Sequence, residues 1–506
     1  MKSKTKRFLS LLLALLLISI AALSACTDTP ADPDAPESNE TPSTSPEDAP
    51  EDDAPQDTKI LPNLPEMDFN QAEFHCLHWN LDSFVGGGWM PWEEIDIDTP
   101  TGEVLDDQVY QRNAYVEETY NVRITSEYAM SYEMPNMIRA AVSTSDDIYQ
   151  FMVERSGDIT AMWTEGLFMN LRGDEMQYLD LEKPWWNQKS LDAFTFGNVT
   201  QFAASEMLLM DKAESDAIFF STTLQRDHDL PNFYQMVEDG TWTWEAMREA
   251  AEIATRDLNG DDVMDANDQW GTCGNRTPLQ YLYFGAGYSY GEIDEDGYLT
   301  TTLLEDEQVD FIIEIHDEMI YQDSHAHSDV IPNFSIIEKF KANEVLFAFY
   351  SVKMINSLRD MDSNYGVLPI PKYDEYQENY RHMVGPDGDS IMGVPLSCGD
   401  TDLTSFVLEA LSAESYYTVY PAFYDVLMMG RYSRDAETRD MLKIIFDTRS
   451  YDIGIIYGYD NVCGQLAVYA AEHYGDSNLA SFFASKASVI ESSIKKLNEM
   501  IDFWNE

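Results

Sequence analysis

The chain predicts an α/β protein of two lobes, and three observations carry that expectation. Short apolar runs alternate with segments of helical spacing from Phe74 to Val153, in the order strand, helix, strand, helix, strand. Hydrophobic residues make up 44% of the chain and aromatics 12%, ample for a packed body. The stretch from about residue 66 to 506 exceeds what a single core serves at ~150 residues per domain, so two lobes are expected.

The first element is not part of that body. Lys2, Lys4, Lys6 and Arg7 precede an apolar run from Phe8 to Leu23, and Leu23-Ser24-Ala25-Cys26 closes it. A basic start, a short apolar core and small residues before a cut describe a secretory signal. Cys26, where the mature chain would begin, makes residues 1–26 similar to a bacterial lipobox, with the thiol carrying lipid (palmitate). An uncleaved anchor is the alternative, but the run is short of the ~20 residues that span a bilayer. Residues 27–65 are rich in Pro, Asp, Glu, Ser, Thr and Ala. Such composition buries too little apolar surface to offset chain entropy, so it reads as a disordered tether. Stretched at ~3.3 Å per residue, the tether reaches on the order of 100 Å.

Within the body, Phe74 to Trp79 reads as the first strand and Asp106 to Tyr120 as a helix. Asn121 to Thr125 reads as a strand, Met137 to Val142 as a helix and Ile148 to Val153 as a strand. Thr243 to Thr255 has Trp244, Met247, Ala250, Ala251 and Ala254 on one helical face. Val345 to Tyr350 and Gly366 to Ile370 read as buried strands, the second ended by Pro369 and Pro371. Ile490, Ile494, Leu497, Ile501 and Trp504 form one face of a closing helix.

The balance of 91 Asp+Glu against 31 Lys+Arg gives a net charge of -60. Phosphate backbones repel such a chain, so nucleic acid is excluded as a natural partner. Cys76, Cys273, Cys398 and Cys463 form no CxxC pair, which excludes a zinc ribbon. They allow three disulfide pairings, and free buried thiols are the simpler expectation.

The sharpest local motif runs from Asp257 to Asp268. Asp257, Asn259, Asp261, Asp265 and Asp268 place side-chain oxygens at loop positions one, three, five, nine and twelve, with the Val263 carbonyl at seven. That spacing suits a structural calcium ion, although Asp262 replaces the usual Gly and Asp268 the usual Glu. A solvated acidic loop of Asx turns is the alternative. His325 and His327 read as solvated loop residues rather than metal ligands. Gly86-Gly87-Gly88 lacks the Lys-Ser/Thr of a phosphate loop, and the glycines around Ser390 do not have nucleophile-elbow spacing. Tryptophans are spread along the body, and an aromatic face stacks on the C–H face of a sugar. Trp79 stands out because ligands of open α/β sheets bind beyond the carboxyl ends of strands.

Several segments, in order, resemble extracellular solute-binding protein family 1, the sugar-binding lipoproteins of bacterial ABC importers, related in fold to maltose-binding protein. They are Gln111-Arg112-Asn113, Lys183-Pro184-Trp185-Trp186, Thr241 to Glu245, Asp257 to Asp261, Asp268 to Gly271, Tyr365 to Asp374, Leu408 to Leu411 and Asp440 to Leu442. Phe219 to Thr222 and Gly430-Arg431 depart from the family's pattern. The resemblance implies a two-lobe periplasmic-binding-protein type II fold, with a hinge and a ligand cleft between lobes. It implies lobe 1 at about 66–190 plus about 388–430, and lobe 2 at about 191–387 plus the C-terminal helices. By analogy, Trp79, Trp185, Trp186, Tyr350 and Asp389 are the expected ligand contacts. The Trp185-Trp186 pair reads equally well as a structural corner.

The function implied is capture of an oligosaccharide for import, without catalysis, by a monomer on the outer face of the cytoplasmic membrane. It is held there by its N-terminal lipid and works with ABC permease subunits. No cofactor is required, and a structural calcium ion is the one candidate. A surface polysaccharide-active enzyme and a sensor or adhesion module of the same fold are the alternatives.

Overall fold

The computed structural model describes residues 59–80, 92–320, 324–428, 436–459, 461–473 and 478–505. Residues 1–58, with Cys26 and most of the tether, and Gly86-Gly87-Gly88 lie outside them. Residues Ile60–Glu506 form one compact unit.

Two sheets organise this unit. The first has strands β1 (Ala72–Trp79), β2 (Val122–Ala129) and β3 (Phe151–Glu154), with β1 central and parallel to both neighbours. The second has strands β4 (Asp216–Ser221), β5 (Trp270–Gly274), β6 (His325–His327), β7 (Val345–Ser351) and β8 (Tyr365–Leu368). In it β5, β6 and β7 run parallel, and β4 lies antiparallel between β7 and β8. The chain then returns to the first sheet as β9 (Ile391–Gly393), antiparallel to β3. Both sheets are open-edged, and helices connect their parallel strands, as right-handed βαβ packing requires.

Local chemistry explains the elements. Helix Val104–Tyr120 buries Leu105, Val109, Arg112, Asn113 and Val116 and stops at Asn121, whose φ of 52° is left-handed. Helix Trp244–Ala254 buries the face read from sequence, and the Thr243 hydroxyl caps it at the Ala246 N–H. Gly271 lets β5 press against that helix. A Cβ there would lie 2.1 Å from the Ala251 carbonyl oxygen. Helix Leu479–Asn505 closes the chain with Ile490, Leu497 and Ile501 buried.

Two sequence expectations are corrected, on the third strand and on two histidines. The compact unit itself includes Ile60. The Ile60 N–H donates to the Tyr417 hydroxyl at 2.9 Å, and Leu64 packs on the core. The third strand is shifted to Phe151–Glu154, because Ile148 is exposed and only the later residues meet β1. His325 and His327 lie in the buried edge strand β6 rather than in a solvated loop. His325 Nδ1 there sits 2.8 Å from the Thr272 hydroxyl.

Candidate functional site: a cavity between the two sheets

A cavity of about 910 Å³ lies at the carboxyl ends of β3, β5 and β7. Its wall on the first-sheet side is Gly157, just past β3, with Pro386 and Asp387 of the segment that returns to β9. On the second-sheet side it is lined by Asn275, Arg276, Thr277, Gln280 and Tyr281 after β5, and by Phe349, Tyr350, Ser351 and Lys353 at the end of β7. Helices Val462–Glu472 and Leu479–Asn505 supply Gln465, Tyr469, Glu472, Phe482 and Lys486. Parallel strands end with their backbone groups and loops facing this space, the usual site of ligands in open α/β sheets.

The wall carries a buried ion pair. Lys353 Nζ meets a Glu214 carboxylate oxygen, and both side chains are more than nine-tenths buried. Such a pair presents donors and acceptors together in a low-dielectric setting. Tyr350 stands on the same wall, and burial, then the nearby Glu214 charge, raises its phenol pKa. The hydroxyl therefore stays protonated and available as a donor. The Tyr469 and Phe482 rings meet at a tilt of 35° with centroids 5.0 Å apart, and Lys486 Nζ lies 5.7 Å from the Phe482 ring centre.

Of the five ligand contacts expected from sequence, the structure puts only Tyr350 on the cavity wall. Trp79 is fully buried at the end of β1. Its indole N–H donates to Ser390 Oγ at 3.2 Å, and the Arg155 guanidinium lies 5.7 Å from its ring centre. Asp389 is also sealed. One of its oxygens accepts the Ser156 N–H at 2.9 Å, and burial holds its pKa well above the carboxylate range. Both therefore support the cavity's first-sheet wall from behind. Trp185 and Trp186 are a structural corner here, since both indoles are buried on Glu409, at 3.0 and 2.9 Å.

The acidic loop curls on itself. The Asp257 carboxylate accepts N–H groups of Gly260, at 2.6 Å, and Asp262, at 2.9 Å. Asp268 accepts from Leu258 and Asp265, and Asn259 and Asp261 accept from Asp261 and Val263. Asp262 takes φ of 62°, the turn that Gly makes easily. Among the described residues, no group of three or more His, Cys, Asp or Glu is placed to hold a metal ion.

Sequence reasoning missed Glu214, Lys353, Tyr281 and the C-terminal helix pair. A signal existed for the last. Phe482, Ser485 and Lys486 stand at i, i+3 and i+4 on one helical face, a turn before the apolar seam begins at Ile490.

No family model matches the chain, and no curated protein matches it either. Solved structures do match, and they show the fold. UspC of M. tuberculosis aligns with a TM-score of 0.55 at 13% identity, covering 83% of this chain and 100% of that one. An ABC substrate-binding protein of Listeria monocytogenes in complex with cycloalternan aligns with a TM-score of 0.53 at 10% identity, covering 85% and 99%. A cyclic alpha-maltosyl-1,6-maltose binding protein of Arthrobacter globiformis aligns with a TM-score of 0.53 at 12% identity, covering 84% and 99%. The chain thus has the α/β architecture of periplasmic-binding-protein-like structures, with open sheets on either side of a cavity.

Proposed function

We propose that the chain is the lipid-anchored, extracytoplasmic substrate-binding component of an ABC importer, and that it captures an oligosaccharide between its two sheets. The observation that carries this reading is the lining of the cavity. Tyr281, Phe349, Tyr350, Tyr469 and Phe482 offer ring faces for stacking on sugar C–H groups. The Glu214–Lys353 pair, Asn275, Gln280 and Gln465 offer donors and acceptors for hydroxyls.

Charge supports an uncharged solute. Arg276, Lys353 and Lys486 face Glu214, Asp387 and Glu472, an even balance within a chain that carries 31 cations to 91 carboxylates. The volume of about 910 Å³ suits several sugar units better than one. Two of the similar structures are described through cyclic oligosaccharides, the same chemical class. Solute contacts made only when the lobes close would drive closure, and a permease would receive the closed form. No step alters the solute.

The test is a thermal-shift panel of plant and mucin glycans, with peptides as the competing class. A glycan is expected to raise the melting temperature and to come back chemically unchanged. The double variant Glu214→Gln with Lys353→Met should lose at least ~90% of that response while unfolding near the parent temperature, because a buried pair exchanged as a unit costs little. Peptides raising the melting temperature while every glycan leaves it unmoved would overturn the carbohydrate reading. Released reducing ends would favour an enzyme.

A further inference from the structure

Among the stretches of chain that run between the sheets, two are paired with each other. The outgoing one leaves the first sheet at Ala203, bridged to Met392, and enters the second at Asp216. The returning one leaves the second sheet at Val384, bridged to Ser215, and joins β9 at Ile391. They lie side by side, with a bridge near each end.

One carboxylate ties them in the middle. Glu94 is fully buried. Its Oε1 accepts the N–H groups of Leu209 and, at 2.7 Å, Met210 on the outgoing stretch. Its Oε2 accepts the Ser390 hydroxyl at 2.7 Å on the returning stretch and lies 3.3 Å from His78 Nε2 on β1. Glu94 is itself fixed by helix Val104–Tyr120. Arg112 Nη2 donates to the Glu94 and Ile95 carbonyls, both at 2.9 Å, and Asn113 Nδ2 donates to the Ile95 carbonyl at 2.7 Å. Donors from three separate segments thus converge on two oxygens anchored to the first sheet's own body.

We propose that Glu94 is a positioning residue that fastens both crossings into one hinge and sets how freely the second-sheet lobe turns against the first. The proposal rests on the two-lobe binding-protein reading but needs no ligand identity. Beyond the Glu94 contacts, the Lys353 and Val352 N–H groups hold the Ala213 and Ser215 carbonyls to the second sheet, while Gly157, Arg155 and Ser156 hold residues 386–389 to the first. The crossings therefore leave bending to the short spans at residues 211–213 and 384–386, and hinges are short spans of this kind. Gly385 lies in the second. Closure then moves Glu214, on the second-sheet side, against Pro386 and Asp387, on the first-sheet side, and all three line the cavity.

The experiment is double electron–electron resonance on the full-length chain with Cys26→Ser. Spin labels are placed at Ser143→Cys and Glu338→Cys, exposed positions beside the first and second sheets. The four remaining native thiols are buried and stay unlabelled. Ser390→Ala and Glu94→Gln should each broaden the distance distribution about twofold, as a loosened hinge requires. Tyr283→Phe is the control for a merely structural loss. It deletes a buried hydroxyl that donates to Gln308 at 2.9 Å, away from both crossings, and should leave the width unchanged. Unchanged widths in Ser390→Ala and Glu94→Gln, or equal broadening in the control, overturn the proposal. If Glu94→Gln fails to fold, Ser390→Ala decides alone. A broadened distribution with no glycan response sinks the carbohydrate reading and leaves the hinge; the reverse sinks only the hinge.

Discussion

Three donors converge on the Glu409 carboxylate: the indole N–H groups of Trp185 and Trp186, and the backbone N–H of Asp180 at 3.2 Å. Burial still pushes its pKa up to about 7, so near neutrality the group is close to half protonated. An amide keeps one accepting oxygen but turns its NH2 toward at least one of these N–H donors. Glu409→Gln should therefore cost on the order of 1–2 kcal/mol, whereas Glu409→Ala strands three buried donors and should cost on the order of 3 kcal/mol or more. Denaturant unfolding of the two variants distinguishes them, and equal losses would show that the carboxylate does not hold the corner. The same contact explains why sequence left the two tryptophans ambiguous. Glu409 lies on a distant helix, Thr401–Tyr417, and nothing beside Trp185 announces it.

At the scale of elements, most of the sheet framework was legible. Strand β1, helices Val104–Tyr120 and Trp244–Ala254, strand β7 and the closing helix each carry their own periodicity, and each appears within a few residues of its expected bounds. The cavity was not legible. Its lining comes from loops after β3 and β5, the end of β7, a crossing segment and two C-terminal helices, and no local pattern links them. Tyr350 was expected at the cleft by analogy with maltose-binding protein and lines the cavity; Lys353, just past the same strand end, was overlooked. The acidic loop is a further element with its own test. Its backbone already turns as a ligand loop turns, with Asp262 left-handed and Asp257 folded over the amides. Our proposal for it is a structural calcium ion that draws the carboxylates inward. Calcium at ~1 mM should raise the melting temperature, chelation should reverse the rise, and Asp257→Ala should abolish it, as selective binding to the folded state requires. An unmoved melting temperature would leave a loop held by Asx turns alone.

Over the whole molecule, buried titratable groups set a pH dependence whose sign can be worked out. Burial raises Glu154 and Glu409 to about 7 and Asp452 to about 6, and it lifts Asp216 and Asp389 well above the carboxylate range. Between those values and ~4, the folded chain binds protons that the unfolded chain does not, so stability rises as pH falls. Burial alone would lower His78, but the Glu94 hydrogen bond and charge, the Trp79 carbonyl and the Glu93 charge together raise it, so its contribution is present at low pH and lost as pH climbs through its folded value. His325 and His382 oppose this trend, because burial holds both neutral down to about 3 and the unfolded imidazoles charge first. The carboxyl groups and His78 outnumber them until the unfolded carboxylates also protonate near ~4. Thermal unfolding across pH should therefore peak near ~4 and fall on either side. A maximum at or above neutrality would contradict the burial of these carboxyl groups.

The four cysteines of the folded body are all buried and unbridged, and burial suppresses thiolate at each. Such a body draws nothing from oxidative cross-linking. Its native state is equally accessible in a reducing cytosol and outside the cell, and reductants or mild oxidants have no exposed sulfur among these four to act upon.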